Sequence, residues 1–210
     1  DEWIADIVNV EKYTGTPENP LDLIPDSFCP KPELLVELRN LVDTLSHSGI
    51  RQFVLSVLSD DEILLPFVRL PASKNHHHAQ PSELLKHSLT SVQKVIAVVG
   101  KDYDKVELAI VGALFHDIAK IRTIAAEGKL TPTGYLISHD FMTLEVLAPH
   151  LKILDKTYPD IANALRYIWS WKINTKKSSI PCTALAEIVA GIDRFDTALQ
   201  VDAEAFQDKP

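Results

Sequence analysis

Cysteine is scarce in this chain, long apolar runs are missing, and positive charge is in deficit. The two cysteines, Cys29 and Cys182, form no C-x-x-C pair. That excludes a zinc ribbon and a disulfide-stapled scaffold, and it predicts reduced thiols in a cytoplasmic protein. No apolar stretch reaches the roughly 20 residues a membrane span requires, so no membrane partner is expected. No signal peptide is present, and the opening Asp1 in place of Met predicts a fragment of something larger. Only 21 Lys and Arg stand against 29 Asp and Glu, a formal net charge of −8. Neutralising phosphates along a nucleic acid takes clustered cations, so the composition argues against a DNA-coating protein. It does not argue against a small metal site, because the metal brings its own positive charge. No G-x-x-x-x-G-K-[S/T] phosphate loop supports an ATPase. Internal repeats, low-complexity tracts and sustained strand alternation are also missing.

What is present is helical. The 210 residues, 46% hydrophobic and 24% charged, suffice for one domain with a real core. Residues 1–31, with turn chemistry at 14–20 and prolines at 25 and 30, read as an irregular N-terminal extension on the domain surface. Leu34, Leu35, Leu38, Leu41, Val42 and Leu45 recur at helical spacing after Pro32, with Gly49 as a stop. Ile50–Leu58 is a second helix. Asp60–Asp61 caps a third, through Leu70, broken or bent at Pro66. Residues 32–70 are thus N-terminal helices, and 71–210 are the main domain. Within it, 71–81 is a loop and Ser82 caps a helix ending at Gly100. A nearly all-apolar, buried helix runs from about Asp104 to Ala119, and 125–137 is a loop or short hairpin. Ser138 starts a helix that Pro149 bends or ends. Pro159 opens another through Trp171, 172–179 is a loop, and the last helix runs from about Pro181 to Gln200. The fold class is all-α, a helical bundle.

Several of these helices carry side chains that do not belong in a core. His116 and Asp117 are adjacent, and neighbouring helix positions point about 100° apart. They share one ligand only where both turn inward, as at the end of a buried helix. An Asp in such surroundings is costly unless paired or metal-bound. His87 lies on the apolar side of its helix, and Asp193 follows Ile188, Val189 and Ile192. Each has an ordinary reading on its own: a capping pair, a core histidine, a salt bridge from Asp193 to Arg194 or Lys120. Four such residues on three helices, all facing inward, point to a shared divalent ion: Mn²⁺, Fe²⁺, Mg²⁺ or Zn²⁺ by the nitrogen and carboxylate donor set. A water on such an ion attacks phosphorus readily. His47 and His150 have no evident partners and are expected at the surface.

His87, then His116–Asp117, then Asp193 resembles the H…HD…D signature of the HD-domain superfamily of metal-dependent phosphohydrolases, over roughly residues 76–200. The resemblance implies an HD-domain helical bundle in which His87, His116, Asp117 and Asp193 bind the metal and Lys120, three places after the pair, contacts a substrate phosphate. His76–His77–His78–Ala79–Gln80–Pro81, followed by Leu84–Leu85–Lys86–His87, is similar to the MOB-H class of conjugative relaxases. There a triple histidine precedes the HD site and the stretch continues Pro-Gly-Gly-Leu-Leu-x-His; here Ser82 and Glu83 stand in place of the glycines. His76, His77 and His78 can bind a second metal, hold the scissile phosphate, or serve as acid and base near neutral pH. His139 resembles the third histidine of the larger HD enzymes, including 3′→5′ exoribonucleases, which implies a supporting or second-metal role. The Ser-His-His-Gly segment of those exonucleases is replaced here by Trp169–Ser170–Trp171–Lys172, whose tryptophans are expected in the core and at its rim. Other relaxase classes attack with a tyrosine, and Tyr135 is the tyrosine closest in sequence to the site. The resemblance implies site-specific nicking of single-stranded or supercoiled origin DNA during conjugative transfer, with conjugation proteins as partners, and the acidic balance then implies that much DNA affinity resides in a further C-terminal part. Two other readings stay open: an HD phosphohydrolase of nucleotides or RNA ends, and a non-catalytic HD docking module.

Overall fold

The computed structural model describes residues 19–73, 80–101, 105–171 and 183–206. Among them are ten α-helices and no sheet: α1 Pro32–Thr44, α2 Ser48–Leu58, α3 Asp61–Arg69, α4 Glu83–Val99, α5 Val106–Leu114, α6 Lys120–Thr123, α7 Pro132–Leu136, α8 His139–Leu154, α9 Pro159–Ser170 and α10 Ala184–Phe206. The all-α expectation holds. No helix among the described residues is long and apolar enough to cross a membrane. The segment containing His76, His77 and His78, the 172–179 loop and Cys182 lie outside the described residues.

The antiparallel pair α4 and α5 forms the centre. α10 lies across both, α9 and α2 cover α5, and α3 and α1 cover α4. α5 is the most apolar helix, and Ala109 through Leu114 are all buried. Its Gly112 lets α9 come close, since a Cβ there would sit 2.9 Å from Ile168 Cγ2. Trp169 uses this approach: its indole N–H donates to the Gly112 carbonyl at 3.0 Å. Trp169 and Trp171 are both buried. Residues 19–31 lie against α1 and α3, with Leu21 and Cys29 buried in the core.

Several boundaries differ from the sequence expectation. α1 stops at Thr44, and Gly49 lies inside α2, where a Cβ would run into the Tyr158 ring. Glu107 of α5 accepts from the Ser46 and His47 N–H groups at the turn between them, which ends α1 earlier than the apolar pattern does. Neither Pro66 nor Pro149 breaks its helix. In each case the carbonyl four residues back, of Glu62 or Glu145, belongs to an exposed residue, so water can take the place of the lost N–H. Asp60 caps α3 as expected, accepting from Glu62 N at 3.0 Å. Ser82 does not cap α4 with its side chain. It is buried with φ 65°, and the start of α4 is tied to the end of α3 by Ser82 N donating to Arg69 O and Leu84 N to Leu70 O. The hairpin expected at 125–137 reduces to one bridge, Ile124 with Leu130, followed by α7. Tyr135 is therefore helical and not in a loop.

His150 is a correction. Because α8 continues past Pro149, His150 falls on the same inward face as Val146, Leu147 and Leu151 and is buried. Its Nδ1 lies 3.2 Å from Ser56 Oγ, and Nε2 lies 3.6 Å from Asp60 Oδ2. Burial holds this imidazole below the usual histidine range, and Asp60 offsets only part of that. The sign follows. The folded protein refuses a proton that the unfolded chain accepts at about pH 6.5, so His150 costs stability as pH falls below that value. The thermal midpoint advantage of wild type over His150→Leu, measured in chelator, is expected to shrink from pH 7.5 to 5.5. A constant or growing advantage would contradict the assignment.

Candidate metal centre

α5 ends at Leu114, not at Ala119. Beyond it the chain tightens into i→i+3 bonds, Ile118 N to Phe115 O and Lys120 N to Asp117 O, before α6 begins. Phe115, His116, Asp117, Ile118 and Ala119 are all buried, so both polar side chains of this turn face the interior. That resolves the difficulty of two adjacent helical residues reaching one point. His87 reaches the same point from the first turns of α4, and Asp193 reaches it from α10.

The four side chains converge. His87 Nε2 is 3.2 Å from His116 Nε2, 3.4 Å from Asp117 Oδ2 and 3.5 Å from Asp193 Oδ1. His116 Nε2 is 3.4 Å from Asp117 Oδ2 and 3.3 Å from Asp193 Oδ1. Atoms with these separations sit roughly 2.0–2.5 Å from a shared centre, the span of bonds from divalent ions to nitrogen and oxygen. The second ring nitrogens are engaged elsewhere. His116 Nδ1 donates to Ala113 O at 2.7 Å, and His87 Nδ1 lies 3.0 Å from Asp196 Oδ2. Both Nε2 lone pairs therefore point at the centre beside two carboxylate oxygens. Such a set fits a cation and suits a borderline to hard divalent one. Asp193 turns toward this centre, while Arg194 reaches Glu187 at 3.6 Å.

The electrostatics agree. Burial alone would lower the His87 pKa, but Asp117, Asp193 and Asp196 outweigh it and raise it to about 10. Burial likewise opposes the charged form of His116, and Asp117 with Asp193 raises it nonetheless. Burial would raise Asp117 and Asp193, yet His116 with Lys120, and His116 with His87, hold the two carboxyls well below the usual carboxylate range. The carboxylates favour protons on the imidazoles as they would favour a metal, so a divalent ion competes with protons there and its uptake strengthens as pH rises.

Two further side chains stand at the edge. Lys120 Nζ is 2.6 Å from Asp117 Oδ2, and His139 Nε2 is 3.1 Å from Asp117 Oδ1. Neither Asp117 oxygen accepts a hydrogen bond of ordinary geometry despite these ion-pair contacts. Asp117 thus faces two ways: Oδ2 toward the four-residue cluster, and Oδ1 toward a second donor group of Asp117, His139 and Asp140 that could also hold an ion. α7 is clamped against α6 beside Lys120. Thr131 Oγ1 donates to Arg122 O at 2.7 Å, and a Cβ on Gly134 would meet the Thr123 carbonyl oxygen at 2.2 Å. Tyr135 stands on α7 with 74% of its surface exposed.

Asp196 carries a role that sequence reading missed. It braces His87 through Nδ1 and is itself held by Lys94, whose ammonium contacts Asp196 Oδ1. The His87 hydrogen bond first, then Lys94, hold its carboxyl below the usual range against burial. The signal was there: Asp196 is three residues after Asp193 on one helix face, and Lys94 is two turns after His87. A carboxylate behind a metal-facing imidazole fixes its tautomer and raises its basicity.

Among the described residues, helices gather two imidazoles and two carboxylates around one point, with a lysine and a third imidazole alongside, which is the donor set of a divalent-metal site. The family model of the HD domain matches residues 84–198, more than half of the chain, and the chain belongs to that family. No curated protein and no solved structure matches it.

Proposed function

We propose that the chain is the metal-binding domain of a MOB-H-type relaxase that nicks one DNA strand at a transfer origin. The observation that carries this reading lies at Ser82. Its φ of 65° is a conformation that costs a non-glycine residue about 1 kcal/mol or more, and glycine adopts it freely. It falls where the MOB-H stretch has its first glycine. At Ser82 the entry into α4 therefore has the backbone conformation that the first glycine of a Pro-Gly-Gly sequence favours.

His87, His116, Asp117 and Asp193 would hold the ion. Bound there, a divalent ion supplies positive charge to a phosphoryl oxygen and acidifies an attacking water. Lys120 binds a second phosphoryl oxygen as a point charge. His139, 26% exposed and in contact with Asp117, would move a proton at Nε2. His76, His77 and His78 would bind the scissile phosphate or donate to the leaving oxygen. Asp196 and Lys94 orient His87 and touch no substrate.

The net charge of −8 favours a second reading, hydrolysis of nucleotides or RNA ends, because a small substrate needs no extended cationic groove. One experiment separates the two: the chain with Mn²⁺, a supercoiled origin plasmid, and in parallel a panel of nucleoside phosphates and short RNAs. The relaxase reading expects origin-dependent nicking that is lost in His116→Ala and sharply reduced when His76, His77 and His78 are replaced together. Nicking retained in Tyr135→Phe assigns the attack to water or histidine, and nicking lost there assigns it to the tyrosine. Turnover of nucleotides or RNA without origin nicking would replace the relaxase reading with the second.

A further inference from the structure

Large hydrophobic side chains on the surface are mostly scattered, which is ordinary for a folded chain. One stretch is not. Tyr135, Leu136, Ile137 and Phe141 fall within seven residues, each at least 45% exposed, and no other stretch of that length among the described residues holds more than two. Between them lies His139, whose Nε2 is 3.1 Å from Asp117 Oδ1, so this apolar surface borders the metal centre.

The backbone under the two rings is fixed. Tyr135 follows Gly134, which packs against the Thr123 carbonyl one turn of α6, about 5 Å, beyond Lys120. Phe141 is in the first turn of α8, where the Thr143 hydroxyl lies 3.2 Å from His139 O and 3.4 Å from His116 O. Successive helical positions turn by about 100°, so with His139 facing Asp117, Phe141 two residues on faces solvent. Charge around the stretch is balanced: Arg122 and Lys129 are offset by Glu127, Asp140 and Glu145. A run of phosphates or an anionic membrane therefore finds no net attraction there. Positive charge for a phosphoryl group is confined to the metal centre and Lys120.

A ligand that fits both parts has an anionic group for the ion and a flat, neutral, apolar group beside it. Unpaired nucleotides have that form, and bases stack on exposed aromatic rings whatever their sequence. We propose that Tyr135 and Phe141 form a stacking platform for unpaired bases of the single-stranded DNA whose phosphate lies at the metal centre. The proposal rests on the phosphodiester reading of that centre and adds how the strand is held. Leu136 and Ile137 extend the platform as apolar contacts to the base faces. Affinity here comes from stacking and not from charge, which suits a chain with net charge −8.

The test uses the full Mn²⁺-loaded chain and a short single-stranded DNA without an origin sequence, so that binding is read apart from nicking. Fluorescence anisotropy gives the affinity, and a 2-aminopurine base reports stacking by its quenching. Tyr135→Ala and Phe141→Ala are each expected to weaken binding about tenfold and to relieve the quenching. Tyr135→Phe should keep both, and Ile153→Ala, an exposed position near the other end of α8, should change neither. A strand of the same length without bases should bind wild type and the alanine variants alike. Circular dichroism and metal content certify the variants. Equal losses with the base-free strand, wild-type binding indifferent to bases, or affinity within twofold of wild type in both alanine variants would each overturn the proposal. A shift from dimer to monomer in the alanine variants with DNA affinity intact would assign the stretch to self-association instead. Origin nicking that fails while these binding results hold removes the relaxase reading and leaves the platform; nicking with base-indifferent binding does the reverse.

Discussion

Replacing Asp117 with alanine is expected to empty the metal centre and to lower metal-dependent hydrolysis by about a thousandfold or more. The size follows from what a divalent ion contributes, several kcal/mol of charge stabilisation, at about 1.4 kcal/mol for each tenfold in rate. Asp117 is the most exposed to this argument because it serves both sides of the site: Oδ2 faces His87 and His116, and Oδ1 faces His139. The change also removes the carboxylate that Lys120 pairs with. Breaking such a buried pair costs about 3–5 kcal/mol, so the metal-free variant should melt well below wild type. Asp117→Asn keeps the volume and the fold while losing the charge, and should lose the metal equally. Metal content by mass spectrometry, with circular dichroism as the control for folding, settles the matter. Stoichiometric metal in a folded Asp117→Ala protein would remove the basis of the proposed chemistry.

The second large effect falls on a residue that need not touch the ion. Asp196→Ala is expected to weaken divalent-metal affinity about 10- to 100-fold, the usual cost of removing the carboxylate behind a metal-facing histidine. Its Oδ2 lies 3.0 Å from His87 Nδ1, so without it the ring is free to rotate and its Nε2 becomes a poorer donor. Asp196→Asn can still accept from Nδ1–H but lacks the charge, and should fall between alanine and wild type. At saturating metal, turnover should recover in both variants, because the defect lies in ring orientation and not in the reaction. Competition against a chelator of known affinity measures the effect. Affinity within twofold of wild type in Asp196→Ala would mean that Asp196 serves only as a salt-bridge partner of Lys94.

Much of the helical pattern was legible because it is local. The 3.6-residue spacing of Leu34, Leu35, Leu38 and Val42, the Asp60 cap and the Gly100 stop are each written in neighbouring residues, and each recurs in the structure. The misreadings were made locally about features settled at a distance. Pro149 reads as a bend or an end of its helix, and α8 continues through it because solvent at Glu145 makes the missing hydrogen bond tolerable. His150 reads as surface because no partner is evident in the sequence, and its partners Ser56 and Asp60 are supplied by distant helices. Ser82 reads as a cap because serine before an apolar run usually is one, yet the α3 carbonyls already satisfy the start of α4.

By itself, the order of residues determined that this protein is helical, that it belongs among chains carrying a histidine–aspartate couplet between a distant histidine and a distant aspartate, and that buried polar groups would need a shared partner. Only the tertiary structure decided which atoms meet. It brought Asp193 Oδ1 within 3.5 Å of both imidazoles, turned the 115–119 segment so that neighbours face one point, and placed Asp196 and Lys94 behind His87. The reason is geometric. Helical periodicity specifies a face to within a turn, about 5 Å, while a metal–ligand bond tolerates a few tenths of an ångström, and only the packing of α4, α5 and α10 against one another supplies that precision.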